Sequence, residues 1–430
     1  MSNAERCIAV RAFAALCALA ALSAPTAAHA GGYDTPMLYS ARHMGMGGAA
    51  IGYVNDPSSL FHNPAGLGHI DHGEVLGDFS LLLGKIHASP GGLNSGKNID
   101  SDLTVAPFFL VGGAYRIHKY ITLGVGLYPV ASAGATFHYP QTASSTGPTL
   151  EDRTELFFLE ASPAIAVNPL PNLRFGLGYR FTYVRLVRFT GAPDQAPAID
   201  FTLTGQGFTG FRVGAQWDAL PFLQFGAVYR NKVTTKVTNS HGVAFSPYTD
   251  ISTKFTLPSK VGFGTRADFE QFGLHGALAA DFEYTFNSEN KGDPLLGTPA
   301  PGTMAPTSVA NVFAWSNSQT LRVGAEYRVL RDPAAHLDRV PLRIGYVYDT
   351  KTANEHYPTA FGTPPAPTQV FTLGTGYNGG LWQTNVAYAY RFGHGAVPKD
   401  GLDQSCAFCN QDGDYAIHLN GIYLDGSYKF

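Results

Sequence analysis

From Leu173 to Tyr183 the chain alternates between two kinds of residue without a miss. Leu173, Phe175, Leu177, Tyr179, Phe181 and Tyr183 form one set, and Arg174, Gly176, Gly178, Arg180 and Thr182 the other. The pattern recurs. Leu321, Val323, Ala325, Tyr327 and Val329 oppose Arg322, Gly324, Glu326 and Arg328. Leu342, Ile344, Tyr346 and Tyr348 oppose Arg343, Gly345 and Asp349. Leu274, Leu278, Phe282, Tyr284 and Phe286 oppose His275, Asp281, Glu283 and Thr285. Successive side chains on a strand point to opposite faces, so each segment has one apolar face and one charged face. A soluble sandwich would alternate in the same way. Three further features separate the two. The segments often exceed ten residues, where soluble strands average ~5–6. Aromatic residues sit near their ends, as interfacial girdles require. The connections also alternate between short and long.

About fourteen such segments are expected, at roughly 73–88, 102–116, 120–138, 151–168, 172–190, 198–218, 222–240, 251–267, 272–286, 312–330, 341–350, 370–378, 381–392 and 414–430. Tight joints fall at Ile117-His118-Lys119, Pro169 to Pro171, Asp218 to Pro221 and Asn378 to Gly380, with a longer one at 331–340. Long joints fall at 139–150, 287–311, 351–369 and 393–413. An even strand number with short turns on one rim and long loops on the other predicts an all-β fold, a transmembrane antiparallel barrel with the long loops outside. Lipid offers no partner for a backbone N–H or C=O, so a spanning sheet must close on itself. The apolar faces then meet lipid. Arg174, Arg180, Arg322, Arg328, Arg343, Asp281, Glu283, Glu326 and Asp349 point inward. Fourteen strands enclose more room than side chains fill, and the Gly-rich stretch 33–70 is the candidate plug. Only 14% of residues are charged, against roughly 25% in ordinary soluble domains. No internal run of about 18 apolar residues suggests a membrane helix. A formal net charge of −3 with no basic stripe argues against a nucleic-acid partner.

Both ends carry signals. Arg6 and Arg11, the apolar run Ala12 to Leu22, and Ala28-His29-Ala30 read as an export signal over 1–30. Its removal would leave Cys406 and Cys409 as the mature cysteines. At the other end Ile422, Leu424, Tyr428 and Phe430 alternate, and Tyr415, Ile417 and Leu419 continue in the opposite phase. A bulge at Gly421 would account for the slip. A terminal aromatic on an alternating strand is the recognition signal for barrel-assembly machinery. The expected surroundings are therefore outer-membrane lipid and lipopolysaccharide. A monomer is favoured, with no sign of oligomerisation.

The segment Ser40 to Leu67, SARHMGMGGAAIGYVNDPSSLFHNPAGL, resembles the N-terminal plug of the FadL-type outer-membrane long-chain fatty acid and hydrocarbon transporters. Its Asn63-Pro64-Ala65-Gly66-Leu67 block matches the family's NPA-type motif, preceded by Gly45-Met46-Gly47-Gly48-Ala49 and Asp56-Pro57-Ser58. Gln224 to Val233, Thr256 to Ser259, Arg343 to Tyr346 and Thr372 to Tyr377 also fit. Barrels that act in secretion share a similar Gly-rich start, so the motif speaks more for the barrel class than for the substrate. The resemblance implies a fourteen-stranded barrel (73–430) closed by an N-terminal hatch (31–72). Such a barrel takes up hydrophobic molecules without ATP, and a strand kink gives it a side opening toward the membrane.

Several residues follow as candidates. Asn63-Pro64-Ala65 would form a tight turn anchoring the hatch at the periplasmic rim; the alternative is an ordinary loop turn. Gly45, Gly47 and Gly48 would allow close packing or positive φ, or else form a flexible linker. Pro129, inside the third strand, cannot donate to a ladder and would mark the kink, with Pro107, Pro163 and Pro258 as competing breaks. Arg174, Arg180, Arg322, Arg328 and Arg343 would contact a carboxylate head group, or form ion pairs with Glu326, Asp281 and Glu283. Cys406 and Cys409 suit a local disulfide in an oxidising compartment. A lone C-x-x-C lacks the ligands for zinc. No catalytic motif, metal site or cofactor motif is legible. Two readings stay open: passive uptake of hydrophobic compounds, or a non-transport barrel acting as scaffold or surface-interaction protein. An apolar chamber above the hatch would favour the first, and a lumen packed with charges the second.

Overall fold

A computed structural model describes residues 39–90, 99–140, 149–240, 245–270, 273–332, 334, 337–353, 366–397 and 413–430. The predicted export signal, residues 31–38 of the predicted hatch, and Cys406 and Cys409 lie outside the described residues. The strands are β1 (Gly73–Pro90), β2 (Ile99–Asp100), β3 (Thr104–His118), β4 (Ile121–Pro140), β5 (Thr149–Leu170), β6 (Leu173–Gly191), β7 (Ile199–Leu220), β8 (Leu223–Arg230), β9 (Val233–Asn239), β10 (Tyr248–Leu257), β11 (Lys260–Asp268), β12 (Gly276–Thr285), β13 (Leu295–Pro299), β14 (Ser308–Val309), β15 (Ser318–Asp332), β16 (Leu337–Asp349), β17 (Thr368–Asn378), β18 (Trp382–Val397) and β19 (Gly413–Lys429). In five places two consecutive strands share one stave of the wall: β2 with β3, β8 with β9, β10 with β11, β12 with β13, and β14 with β15. The nineteen strands therefore make fourteen antiparallel staves in a single sheet.

The sheet closes where β1 meets β19 along their full length, from Glu74↔Lys429 to Pro90↔Gly413. Gly73 and Phe430 exchange both backbone hydrogen bonds, at 3.1 and 2.9 Å. The Phe430 ring lies over Gly73, where a side chain would meet it, and stacks on Tyr115. Closure satisfies the two edges that an open sheet would present to lipid. In β6 every second residue from Arg174 to Thr182 is buried and Phe175, Leu177, Tyr179 and Phe181 between them are exposed. The exposed apolar residues thus form the outer face of the wall and the charged residues line the lumen.

Two sequence expectations change. No bulge occurs at Gly421, which pairs in unbroken register with Leu82 on one side and Ala389 on the other. Tyr415, Ile417, Gly421, Tyr423 and Asp425 share the inward face, and Ile422 and Leu424 the outward one. The apolar residues change sides because the interior itself changes from polar near the short-turn rim to apolar higher up. The expected single strands 222–240 and 251–267 are each interrupted, at Asn231-Lys232 and at Pro258-Ser259. Pro258 lacks the N–H that a continuous ladder needs.

Residues 39–72 fill the lumen near the short-turn rim. They contain the single turns α1 (Ala41–Met44) and α2 (Ser59–His62) and a 3-10 turn at Pro64–His69. α1 packs against β17, β18 and β19, and the 3-10 turn against β4 to β7. The plug therefore touches opposite sides of the barrel.

Candidate functional site

The plug is seated backbone against backbone. Gly176, Gly214, Gly226, Gly264, Gly324 and Gly345 face it from six strands. A Cβ on Gly345 would stand 2.1 Å from Gly47 N, and one on Gly324 2.2 Å from Met46 O. Such contacts are open only to glycine. On the plug side Gly47 and Gly48 have φ of +67° and +73°, and Gly45 lies against the Gly374 backbone. Lumen carboxylates hold the plug's N–H groups. Asp281 Oδ2 accepts from Ala50 N at 2.7 Å and Ile51 N at 2.8 Å, and Asp425 Oδ2 from Ser40 Oγ at 2.7 Å and Arg42 N at 3.1 Å. Asn63 Nδ2 donates to Ile51 O at 3.0 Å and Ala215 O at 3.1 Å, and its Oδ1 accepts from Ala65 N at 3.2 Å. Pro64 then opens the 3-10 turn, and Ala65, Gly66 and Leu67 are buried beneath it.

Inside the plug, Asp56 is buried beside Arg42, His43 and Ser58. Ser58 N and Oγ donate to it at 2.8 and 2.5 Å, and His43 Nε2 lies 3.5 Å away. Burial opposes its charge, yet His43, Arg42 and Ser58 together hold the carboxyl well below the usual range. Burial also lowers the His43 imidazole and pushes His62 and His69 down to about 3. His62 Nε2 meets Tyr39 O at 2.7 Å.

A belt of buried ion pairs rings the plug, with the Glu326 cluster and Arg174–Asp218 on its short-turn side and the Glu160 cluster and Arg322–Glu283 above it. Arg180 Nε donates to Glu160 Oε2 at 2.6 Å, and Arg212 Nη2 to Glu160 Oε1 at 3.2 Å. Arg212 also donates to Tyr128 Oη at 2.9 Å and to Leu60 O of the plug. Glu326 accepts from Arg266 at 3.2 Å, Arg328 at 3.3 Å and Arg343 at 2.8 Å. Arg322 pairs with Glu283 at 3.4 Å and Arg174 with Asp218 at 2.7 Å. All five sequence-nominated arginines therefore sit in ion pairs. Three of them keep one buried nitrogen without a hydrogen-bond partner, Nε of Arg174 and of Arg322 and Nη2 of Arg180; beside Arg180, at neighbouring inward positions, Ser162 Oγ and Thr182 Oγ1 are likewise unpartnered. Sequence reading passed over Glu160 and Arg212. Both were legible as lone charges in phase with inward small residues, Glu160 before Ser162 and Arg212 between Gly210 and Gly214.

Above this belt the lumen is apolar on the side of β3 to β10, while on the side of β16 to β18 Arg391 donates to Asp349 at 3.1 Å. One continuous cluster joins Leu60 and Tyr39 of the plug to Phe108, Leu110, Tyr128, Leu156, Phe158, Val184, Leu203 and Phe255 of the wall, and to Phe313 and Trp315 between β14 and β15. The cluster abuts an interruption in the wall. β3 pairs with β4 only from Val111↔Leu127 down to the turn, and Ser101↔Phe137 bridges them again higher up. Between these points the two strands pair only with β1 and β5. Pro129 and Pro107 lie on the two edges of this gap. A register shift at Val130 accompanies Pro129. The Pro129 carbonyl accepts from Tyr39 Oη of the plug at 2.6 Å. Pro163 stays within the β4–β5 ladder. Outside, Val75, Val111, Val125 and Leu127 surround a shallow apolar depression of about 860 Å³ beside the lower end of the gap. Among the described residues no group of three His, Cys, Asp or Glu side chains is placed to hold a metal ion.

A closed fourteen-stave barrel with an apolar outer face, a plug and an apolar cluster in the lumen above it defines a plugged outer-membrane transport barrel. The chain belongs to the outer membrane protein transport family (OMPP1/FadL/TodX), whose profile matches residues 21–416. Its fold is similar to that of a Pseudomonas aeruginosa FadL homologue (TM-score 0.69, 17% identity, 93% of this chain and 100% of that one). It is also similar to the P. putida toluene transporter TodX (TM-score 0.67, 16% identity, 91% and 99%) and the Ralstonia pickettii toluene transporter TbuX (TM-score 0.62, 16% identity, 91% and 98%). The Neisseria meningitidis serogroup B protein NMB0088 is 31% identical over 122 residues, and the match spans 26% of this chain and a quarter of that relative's length. The family is one of outer-membrane transport proteins, and this chain is placed in the outer membrane with it.

Two predictions follow from the plug. Gly345→Leu drives a side chain into the Gly47 backbone. The barrel still assembles, scored by heat-modifiable electrophoretic mobility, but single-channel conductance rises several-fold; wild-type conductance would show that the seat is not needed. Acid loosens the plug by a separate route. A histidine held neutral to about pH 3 while docked but titrating near 6.5 when released favours release as pH falls below ~6.5. At pH 5 His62 alone contributes roughly 2 kcal/mol toward release. Asp56, ionised throughout that window, contributes nothing to the change. Proteolysis of the plug in purified barrels is expected to accelerate between pH 7.5 and 5, and His62→Gln to reduce that acceleration.

Proposed function

We propose that this barrel takes up small hydrophobic or amphipathic molecules passively, accepting them into the apolar chamber above residues 39–72 and releasing them through the β3–β4 gap. The observation that carries this reading is the continuous apolar lining, which runs from Phe313 and Trp315 down to Leu60 and ends at the unpaired wall beside Pro129. A molecule crossing a water-filled pore would expose its chain at ~0.8 kcal/mol per CH₂; a sideways exit into lipid avoids much of that. Fold similarity to toluene transporters and to a FadL homologue supports the cargo class. In this reading 1–30 is the export signal, 31–72 the hatch and 73–430 the barrel. The Tyr39–Pro129 hydrogen bond ties hatch position to the gap. Arg180, with its unpartnered Nη2 at the chamber floor, receives the head group of acidic cargo, while the other nominated arginines brace the lumen through their ion pairs. A scaffold or surface-binding role would leave the apolar chamber without a purpose.

The test is complementation of a fatty-acid-uptake mutant, with toluene uptake measured in parallel. Pro129→Val restores one backbone donor at the gap edge and is expected to cut uptake of either cargo several-fold with the barrel assembled. Unchanged uptake would remove the gap from the route. Arg180→Leu is expected to weaken binding of a long-chain fatty acid by about tenfold or more, the worth of one charged hydrogen bond, and to leave toluene uptake as it was.

A further inference from the structure

The wall has a second parted seam, on another side of the barrel. β7 pairs with β8 from Arg212↔Arg230 to the short-turn rim, and with β9 at Leu203↔Asn239 and Thr204↔Thr238. Between these points Asn231 N still donates to Phe211 O at 3.2 Å, and residues 205–210 and 232–237 have no ladder partners across the seam. Eight steps separate the pairings on each strand, Thr204 to Arg212 and Arg230 to Thr238, so the ladder has parted without slipping register. The β3–β4 gap shares this property, because Ser101↔Phe137 and Val111↔Leu127 lie in one register.

The cause of the parting is local. β7 carries one extra residue here: Arg180 and Thr182 of β6 face Gly210 and Gly207, and Phe208 and Thr209 are both exposed. The bulge carries β7 outward and β9 passes beneath it. A Cβ on Gly205 would lie 2.0 Å from Lys236 O, and one on Gly207 2.6 Å from Thr235 Oγ1. Val233, Thr235 and Val237 are buried under this glycine edge. Asn231 clamps the lower end, with Nδ2 donating to Thr209 O at 2.9 Å and Oδ1 accepting from Phe211 N at 2.6 Å. Asn231-Lys232 and Pro258-Ser259 interrupt the two strands at one level, Lys232 N donating to Ser259 Oγ at 3.1 Å. The β9–β10 ladder above therefore has a hinge on both strands. Inside, Phe255 of β10 meets Phe158 edge-to-face at 6.3 Å in the chamber. Outside, Phe208 packs on Phe181, and Phe181 on Tyr179, on the lipid face.

Unpaired backbone facing lipid is costly, and here β9 covers the parted stretch. We propose that this seam is a second side door. β9 and β10 shut it in the structure, and apolar molecules pass through it from the chamber into the membrane when these strands swing on their common hinge. The proposal rests on the uptake reading. It predicts that a chamber ligand and the tucked position of Phe255 and Val233 compete for the same space.

The test pins the door. Gly207→Cys with Thr235→Cys, in a chain whose Cys406 and Cys409 are replaced by Ser, places a disulfide across the seam. Oxidation is expected to lower toluene uptake at least fivefold relative to the same protein after dithiothreitol. Equal uptake in the two redox states would overturn the second door and leave uptake itself standing. Should Gly207→Cys hinder assembly, Thr235→Cys alone, alkylated with N-ethylmaleimide, jams the same contact and is read in the same way. A readout independent of flux uses purified protein in nanodiscs with a diazirine-bearing alkane. Photolabelling of Phe208, Gly210 or Val233 that falls on oxidation supports the door, even if transport is nil and the uptake reading fails. Labelling confined to the β3–β4 gap overturns it.

Discussion

The whole structure depends on the requirement that each backbone N–H and C=O within lipid have a partner in the protein. Closure of β1 on β19 is the main answer to that requirement, and the Gly73–Phe430 pair completes it at the rim. Once the wall is closed, alternation does the rest. Apolar side chains face lipid, charges face the lumen, and a lumen too wide to be filled by side chains receives the plug.

The same requirement gives meaning to the places where pairing stops. At the β3–β4 gap the plug's Tyr39 hydroxyl serves the Pro129 carbonyl. At the β7–β9 seam the Asn231 side chain takes over ladder positions and a glycine edge lets β9 slide beneath. Both gaps border the apolar chamber and both keep register on either side.

Charge placement divides the interior by height. Near the plug, Glu326 collects three guanidiniums and Glu160 two. A buried pair broken on one side costs about 3–5 kcal/mol, so the paired atoms are suited to bracing, and the unpartnered Nη2 of Arg180 stands outside these pairs. Higher up, charges give way to Phe158, Val184, Leu203 and Phe255. That change of medium is why Tyr415, Ile417 and Leu419 face inward on the strand whose Ile422 and Leu424 face outward. A reader of the sequence sees the change as a slip in phase.

What the sequence determined by itself was the wall. Alternation, loop rhythm and the Asn63 to Leu67 motif were enough for about fourteen strands, their inward charges and a plug, because side-chain direction along a strand is a local property with period two. The tertiary structure alone decided which charges meet: Glu160 lies 20 residues from Arg180 and 52 from Arg212, and only closure brings the three together. It alone placed Pro107 and Pro129 on two edges of one gap, and it alone showed the β7–β9 seam, whose Gly205, Gly207 and Gly210 read in sequence as no more than a weak stretch of strand. Pairing across a closed sheet is a property of neighbours distant in the chain, and no local pattern records it.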